Sequence, residues 1–139
     1  MKMTSNLERG RRLRRVEFPS MNEPIFLTVS LRILAGRRSE FESTARQMVA
    51  ETKQERGTLV YEFYVAEDAA ECRLLEGYVN NDAAASHLTG PVVTGLVPKL
   101  LESATLEAFE VYGRTSPQLV EIVADFRAKV FGIVDGFRR

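Results

Sequence analysis

The order in which two kinds of apolar periodicity follow one another is the strongest constraint on the fold. Apolar and polar residues alternate in four runs, which predicts strands with one buried face. The runs lie at 27–33, 59–65, 72–79 and 105–112. Helical stripes cover 41–52 and 82–101, the second interrupted at Gly90 and Pro91. The resulting order, β-α-β-β-α-β, predicts an α+β, ferredoxin-like domain with an antiparallel sheet.

Two helices cover only one face of such a sheet, so the other face requires a partner. A homodimer that stacks two sheets is the economical solution. Beyond Gly113, Ser116 and Pro117 predict the start of an extra helix, whose apolar stripe runs from Leu119 to Val130. We therefore expect a disordered basic tail over 1–22, the ferredoxin-like domain over 23–113 and a C-terminal helical extension over 114–139.

Composition limits the class of protein. The chain has 139 residues, with 19 basic and 19 acidic side chains, and this neutral total argues against nonspecific nucleic-acid binding. The basic run Arg11–Arg15 fits a nucleic-acid or membrane-surface arm, although terminal charge blocks are more often solvated tails. No apolar run approaches the roughly 20 residues that span a bilayer. We expect a cytoplasmic protein without nucleic-acid or membrane partners.

Several kinds of catalytic site are absent from the sequence. His87 is the only histidine, which excludes a multi-histidine metal site within one subunit. There is no glycine-rich phosphate loop, nucleophile elbow or paired-cysteine motif. The single cysteine, Cys72, begins a strand, where nothing activates a thiolate. We therefore expect neither a metal nor a cofactor.

Four side chains remain as candidates for chemistry: Glu62, Glu76, Tyr78 and His87. Glu76 and Tyr78 share a strand face with Leu74, and the helix bearing His87 returns over the sheet within a dozen residues. A histidine beside a buried carboxylate can act as a base near neutral pH. Structural roles are the alternative, with His87 packing a helix end, Tyr78 in the core and the glutamates paired with an arginine or a partner subunit. Arg32 and Arg73 are the arginines on neighbouring strand positions.

Two segments carry a family resemblance. They read Gly-Thr-Leu-Val-Tyr-Glu-Phe at 57–63 and Leu-Leu-Glu-Gly-Tyr at 74–78, with His87 eleven residues after Glu76. This ordered set resembles the antibiotic biosynthesis monooxygenase family over about residues 25–112. The resemblance implies a dimeric α+β barrel and, in some members, cofactor-independent oxygenation of phenols or quinols. Other members are isomerases, heme-degrading enzymes or proteins with no assigned activity.

The resemblance also suggests roles for single residues. We expect His87 to accept a proton, Glu76 to orient it, and the side chains of the two strands to bind substrate. These substrate-binding residues are Tyr61, Glu62, Phe63 and Tyr78. Tyr78 stands where the heme-degrading branch has tryptophan, and Val97 about where it has its histidine ligand, which argues against heme degradation. Many relatives follow the helix with Pro-His-Phe, whereas Val92 and Val93 follow Pro91 here.

The leading hypothesis is a cofactor-independent monooxygenase of a small aromatic or quinol-like substrate. A noncatalytic small-molecule-binding or regulatory homodimer is the alternative, and an isomerase of a phosphorylated sugar-like compound would need Arg32 or Arg73 in the cleft. We expect one pocket per subunit between the third strand and the 82–101 segment. It should be mostly apolar, with Glu76 and His87 as its few convergent polar groups.

Overall fold

A computed structural model describes residues 22–139 of the chain. The tail predicted over 1–22 therefore lies outside the described residues, except for Asn22. The elements are β1 Ile25–Ile33, α1 Arg38–Thr52, β2 Thr58–Val65, β3 Glu71–Tyr78, α2 Asn81–Leu88, α3 Pro91–Leu100, β4 Ala104–Tyr112, α4 Pro117–Ala124 and β5 Lys129–Phe131. The predicted β-α-β-β-α-β order is confirmed, including the division of the second helical segment.

The strands form one sheet in the order β2-β3-β1-β4-β5. The pairs among β1 to β4 are antiparallel, and β5 is added in parallel beside β4. Val29 at the centre of β1 lies opposite Leu74 on β3 and Phe109 on β4. The fold is thus the predicted ferredoxin-like one, with a short fifth strand at one edge.

The two faces of the sheet differ in their surroundings. We call the face against the helices the covered face, which holds alternate β1 residues that are all buried: Ile25, Leu27, Val29, Leu31 and Ile33. Phe41 and Met48 of α1 and Leu88 of α2 belong to the same buried core. The open face holds the intervening residues, such as Phe26 and Thr28, which are only half-buried. No helix among the described residues is long and apolar enough to cross a membrane.

Local sequence determines where α2 and α3 begin. The side-chain oxygen of Asn80 accepts a hydrogen bond from the backbone N–H of Ala83 at 2.9 Å, which caps the start of α2. α3 begins at Pro91, where the missing N–H has no cost. Gly57 lies so close to α2 that a Cβ there would stand 2.6 Å from that of Ala83. This close approach packs the loop between α1 and β2 against the helix that carries His87.

The C-terminal region differs from the single helix that the stripe to Val130 predicted. Ser116 caps α4 as expected, accepting from the N–H of Leu119, but the helix ends at Ala124. Arg127 then adopts a left-handed backbone conformation with φ of 56°, which a continuing helix does not allow. Val130 lies instead in β5, opposite Val111 of β4. Leu119 is fully buried, so α4 packs on its own subunit.

Candidate functional site

His87 lies in the last turn of α2 and points into the interior. Its side chain is only 1% exposed. The ring lies between two tyrosines, with centroids 5.2 Å from Tyr61 and 5.5 Å from Tyr78. Ala84 and Ala85 on the same helix are buried and small, so α2 approaches the sheet closely enough to bring the imidazole among these rings. The sequence-predicted convergence of His87 with the third strand is therefore present.

Glu76 and Tyr78 lie on the covered face of β3, as the period of two predicts. Both are almost fully buried, and the Tyr78 hydroxyl donates a hydrogen bond to the Glu76 carboxylate. Burial raises the pKa of Glu76, while the nearby His87 and the Tyr78 hydrogen bond act in the opposite direction. Burial also raises the pKa of Tyr78 well above its ordinary value, and the Glu76 charge adds to the effect. Both groups are thus biased toward their neutral forms.

Tyr61 and Phe63 share the covered face of β2. Tyr61 lies opposite Glu76 in the strand register. Burial raises the pKa of Tyr61, and the Glu76 charge adds to this. Phe63 packs edge-on against Tyr61 at 5.9 Å and against Phe41 at 6.1 Å, so it supports Tyr61 from behind. Of these two residues, Tyr61 is the one in ring contact with His87.

Glu62 is separated from this cluster. It lies between Tyr61 and Phe63 in sequence, so the strand period directs it to the open face, opposite Leu75 of β3. There it is exposed and accepts a hydrogen bond from the Tyr64 hydroxyl at 2.9 Å. Glu62 therefore does not line the inner cavity that His87 lines, although it lines an outer groove along α1 and β2 together with Tyr61 and Phe63. Neighbouring strand residues point to opposite faces of the sheet, so Tyr61 reaches the inner cavity and Glu62 does not.

A carboxylate that the sequence analysis missed contacts His87. Oε1 of Glu55 lies 2.8 Å from Nδ1 of His87. We expected Glu76 to orient the imidazole, and among the described residues the hydrogen-bond partner is Glu55 instead. Glu55 lies in the loop before β2, where no strand or helix period indicates side-chain direction. Its one sequence signal is Gly57, whose close contact with α2 holds this loop over His87.

The alternative in which the glutamates pair with arginines is not what the structure contains. Arg32 pairs with Glu107 at 3.0 Å and with Glu71 at 3.6 Å. Arg73 donates to the backbone carbonyl of Cys72 rather than to Glu62 or Glu76. Neither arginine therefore supplies a cation to the covered face. An isomerase that binds a phosphorylated substrate has no support from these positions.

A small cavity lies between the covered face and the helices. Its volume is about 50 Å³, and its lining is apolar apart from Tyr61, Glu76 and His87. The other lining residues are Val29, Leu31, Met48, Leu74, Leu88, Val93, Val97, Leu100, Leu101, Leu106, Phe109 and Phe126. Its position and lining match the expected pocket. Its size is far below the roughly 300–1,000 Å³ typical of ligand sites, so in this form it is too small for an aromatic ligand.

A wider groove of about 550 Å³ runs outside, along α1 and β2. Tyr61 lines both the groove and the inner cavity. Among residues 22–139 there is no group of three or more His, Cys, Asp or Glu side chains that could hold a metal ion. Cys72 is buried, and burial raises the pKa of its thiol to about 11, so it stays protonated. The ionisable side chains in or beside the inner cavity are thus Glu55, Glu76 and His87, together with the tyrosines.

The model of the antibiotic biosynthesis monooxygenase family matches residues 24–98. The chain belongs to this family. The matched region contains every candidate residue from Glu55 to His87, which confirms the resemblance noted from the sequence. Part of the cavity wall, including Leu106, Phe109 and Phe126, lies outside it. No curated protein sequence matches the chain.

Solved structures support the same fold. MupZ from Pseudomonas fluorescens has a TM-score of 0.73 at 17% identity, over 85% of this chain and 96% of MupZ. SnoaB from Streptomyces nogalater, a cofactor-independent oxygenase, has a TM-score of 0.59 at 16% identity, over 68% and 95%. Rv0793 from Mycobacterium tuberculosis has a TM-score of 0.59 at 23% identity, over 64% and 92%. At these identities the likeness establishes the fold and not the activity.

Proposed function

We propose that this chain is a cofactor-independent monooxygenase of a small aromatic or quinol-like substrate, with His87 as the base. One observation carries the proposal. The single histidine is buried at the wall of an apolar cavity, with a carboxylate on one ring nitrogen and two tyrosine rings beside it. Membership of the monooxygenase family and the fold shared with the oxygenase SnoaB support it.

The reaction begins with a proton transfer. A naphthol-type substrate gives its hydroxyl proton to His87, and the resulting anion is electron-rich enough to reduce dioxygen without a cofactor. One oxygen atom becomes a carbonyl on the ring. The other leaves as water, which takes up the hydroxyl hydrogen and the hydrogen of the oxidised carbon. The substrate supplies all four electrons, so the product is a quinone and no external reductant is needed.

The substrate reaches His87 by displacing the outer wall of the cavity. Leu101 and Leu106 line the cavity and are 39% and 40% exposed, so the cavity lies just beneath the surface at this point. Phe126 completes this wall by stacking on Phe109 at 5.0 Å. Movement of these side chains opens the cavity without disturbing Glu76 or His87 on its inner side.

Oxygen consumption with a panel of naphthols and hydroquinones tests the function. A positioned base contributes about 10²–10⁴-fold, so we expect His87→Ala to lower the enzymatic rate by that order. Glu51→Gln, at the exposed end of α1, is the matched control and should keep full activity. Oxygen uptake no faster than autoxidation for every substrate, or a folded His87→Ala protein with full activity, would refute the proposal.

A noncatalytic ligand-binding role is the second candidate, and the almost wholly apolar lining of the cavity is compatible with it. In that case the same compounds raise the melting temperature without oxygen uptake, because ligand binding to the folded state alone stabilises it. Thermal-shift measurements on the same panel therefore separate the two candidates. Stabilisation together with catalysed uptake supports the enzyme.

We further propose a homodimer formed through the open face. Leu75 of β3, Val79 directly after β3 and Phe131 of β5 each leave more than a third of their surface exposed on this side or at its edge. Val134 is fully exposed and Phe137 is 78% exposed in the segment after β5. An obligate interface of this kind should bury roughly 2,000 Å² or more. Light scattering that gives the mass of a monomer, 15.7 kDa, at micromolar concentration would contradict it.

A further inference from the structure

Glu55 is the link between the buried imidazole and water. The His87 side chain is 1% exposed, whereas that of Glu55 is 30% exposed. The two are joined by the 2.8 Å contact between Nδ1 and Oε1. The carboxylate of Glu55, a loop residue, therefore contacts the imidazole at the cavity wall and also reaches solvent.

The contact decides which ring nitrogen carries the proton. An ionised carboxylate only accepts hydrogen bonds, so Nδ1 must carry hydrogen when it faces Glu55. In a neutral histidine, the hydrogen-bond partner of one ring nitrogen thus decides which of the two nitrogens carries the proton. Among the described residues, Nε2 has no hydrogen-bond partner, and the imidazole lines the cavity. Nε2 is therefore the nitrogen free to act as a base.

We propose that Glu55 is the positioning residue of the site, which holds His87 in the Nδ1–H form and then passes its proton to solvent. This rests on the proposed function for the identity of the proton donor. The substrate O–H proton goes to Nε2, the Nδ1 proton moves to Oε1 of Glu55, and Glu55 releases it to water. His87 is then neutral with its proton on Nε2. It gives this proton to the oxygen atom that leaves as water, and Glu55 returns a proton from solvent to Nδ1, which restores the starting form.

The other titratable groups that face His87 are poor exits for this proton. Tyr61 and Tyr78 keep their own protons because burial raises the pKa of each. Glu76 is 4% exposed and accepts from Tyr78, so a proton placed there has no route to water within the described structure. Glu55 alone combines contact with the imidazole and access to solvent.

The position of Glu55 is built into the fold. The Thr58 hydroxyl donates to the same Oε1 at 3.2 Å, and the Glu55 N–H bonds the carbonyl of Thr52 at 2.9 Å. Val79 N–H bonds the carbonyl of Gly57 at 2.9 Å, which ties the loop to the end of β3. With Gly57 packed on Ala83, these contacts fix the carboxylate before any substrate binds.

The first test is spectroscopic and needs no substrate. Because His87 is the only histidine, the untagged full chain gives a single set of imidazole ¹⁵N signals. We expect the Nδ1–H form in the wild type and loss of that form in Glu55→Ala. Glu51→Gln, at the exposed end of α1, is the matched control and should leave the signals unchanged. An Nε2–H form in the wild type, or no change in Glu55→Ala, would overturn the proposal.

The second test separates proton transfer from packing. We expect Glu55→Gln to lower kcat by about 10–100-fold with little change in KM, the range known for carboxylates that orient metal-binding histidines. Formate added to Glu55→Ala should restore part of kcat, because a small carboxylate can reach the half-exposed site. Unchanged kcat in Glu55→Gln overturns the relay. If the wild type consumes no oxygen with any substrate, the proposed function fails, and the ¹⁵N result still decides the role of Glu55.

Discussion

The two faces of the sheet carry the same pair of residues in different surroundings. On the covered face Tyr78 donates to Glu76, and on the open face Tyr112 donates to Glu110 at 2.7 Å and Tyr64 donates to Glu62. In each pair the tyrosine follows the glutamate by two positions, so the strand period places both side chains on one face. The first pair is buried, the second half-buried and the third exposed.

All three pairs have the same hydrogen bond, so a difference in the pKa of their tyrosines reflects their surroundings. For the exposed Tyr64, the hydrogen bond to Glu62 is the main cause that raises the pKa of the phenol. For Tyr78, burial is the main cause, and the Glu76 charge comes second. The same local contact thus becomes chemically unusual only where water is excluded. The strand sequence provides the pair, and the helices above it provide the site.

The largest expected effect is a pH dependence of stability that belongs to Glu76. Burial raises its pKa in the folded chain above the value of about 4.5 expected in the unfolded chain. Its contribution to stability is therefore fully present below that unfolded value and is lost as pH rises through the folded pKa. Since Glu76→Gln stays neutral, we expect this variant to gain stability relative to wild type between about pH 4 and about pH 8.

Denaturant unfolding at both pH values measures this difference. Glu62→Gln removes the equivalent carboxylate from the exposed pair and is the matched control, for which the difference from wild type should not change with pH. If the free energies of unfolding of wild type and Glu76→Gln differ by the same amount at both pH values, folding does not raise the pKa of Glu76.

Tyr78→Phe should give the next largest effect. It leaves the Glu76 carboxyl buried without its hydroxyl partner, which costs about 1–3 kcal/mol in the free energy of unfolding. Chemical denaturation near neutral pH checks this value, and an unchanged near-UV spectrum shows that the variant keeps its packing. A loss no larger than that of Tyr64→Phe would contradict the view that burial makes the pairs different.

The sequence predicted the elements and much of the site because both depend on regular periods. Alternation placed Glu76 and Tyr78 on the face that the helices cover, and the short connection after β3 brought His87 back over them. The same period also separates Glu62 from Tyr61. Glu62 consequently lines the outer groove beside Tyr61 and not the inner cavity.

Structural features that do not follow the apolar periodicity of the sequence could not be predicted in the same way. Glu55 lies in a loop, and its direction depends on how closely Gly57 approaches α2, a contact made only when the whole domain is folded. The end of α4 depends on the left-handed backbone at Arg127, although apolar residues continue at helical spacing to Val130. In both cases tertiary contacts override the local pattern.

Tyr112→Phe should have an intermediate effect. The hydroxyl is half-buried, and the Thr28 hydroxyl lies within 3.3 Å of both Tyr112 and Glu110. Thr28 can therefore still donate to Glu110 when the phenol hydroxyl is removed, so we expect a loss of about 0.5–1.5 kcal/mol in the free energy of unfolding. The double variant with Thr28→Val should lose more than the sum of the single losses. Additive losses would show that Thr28 does not compensate.

Tyr64→Phe should have the smallest effect on the free energy of unfolding, within about 0.5 kcal/mol, because its pair is exposed on the monomer surface.

This variant also tests the proposed dimer. Tyr64 and Tyr112 both lie on the open face, so a second copy on that face would bury them and increase their effects as protein concentration rises. Tyr78 lies under the helices, and its effect should not depend on concentration in this way. Unfolding of the three variants at two concentrations therefore measures both the environment of each pair and which face the second copy covers. Concentration-independent effects for all three would contradict a dimer through the open face.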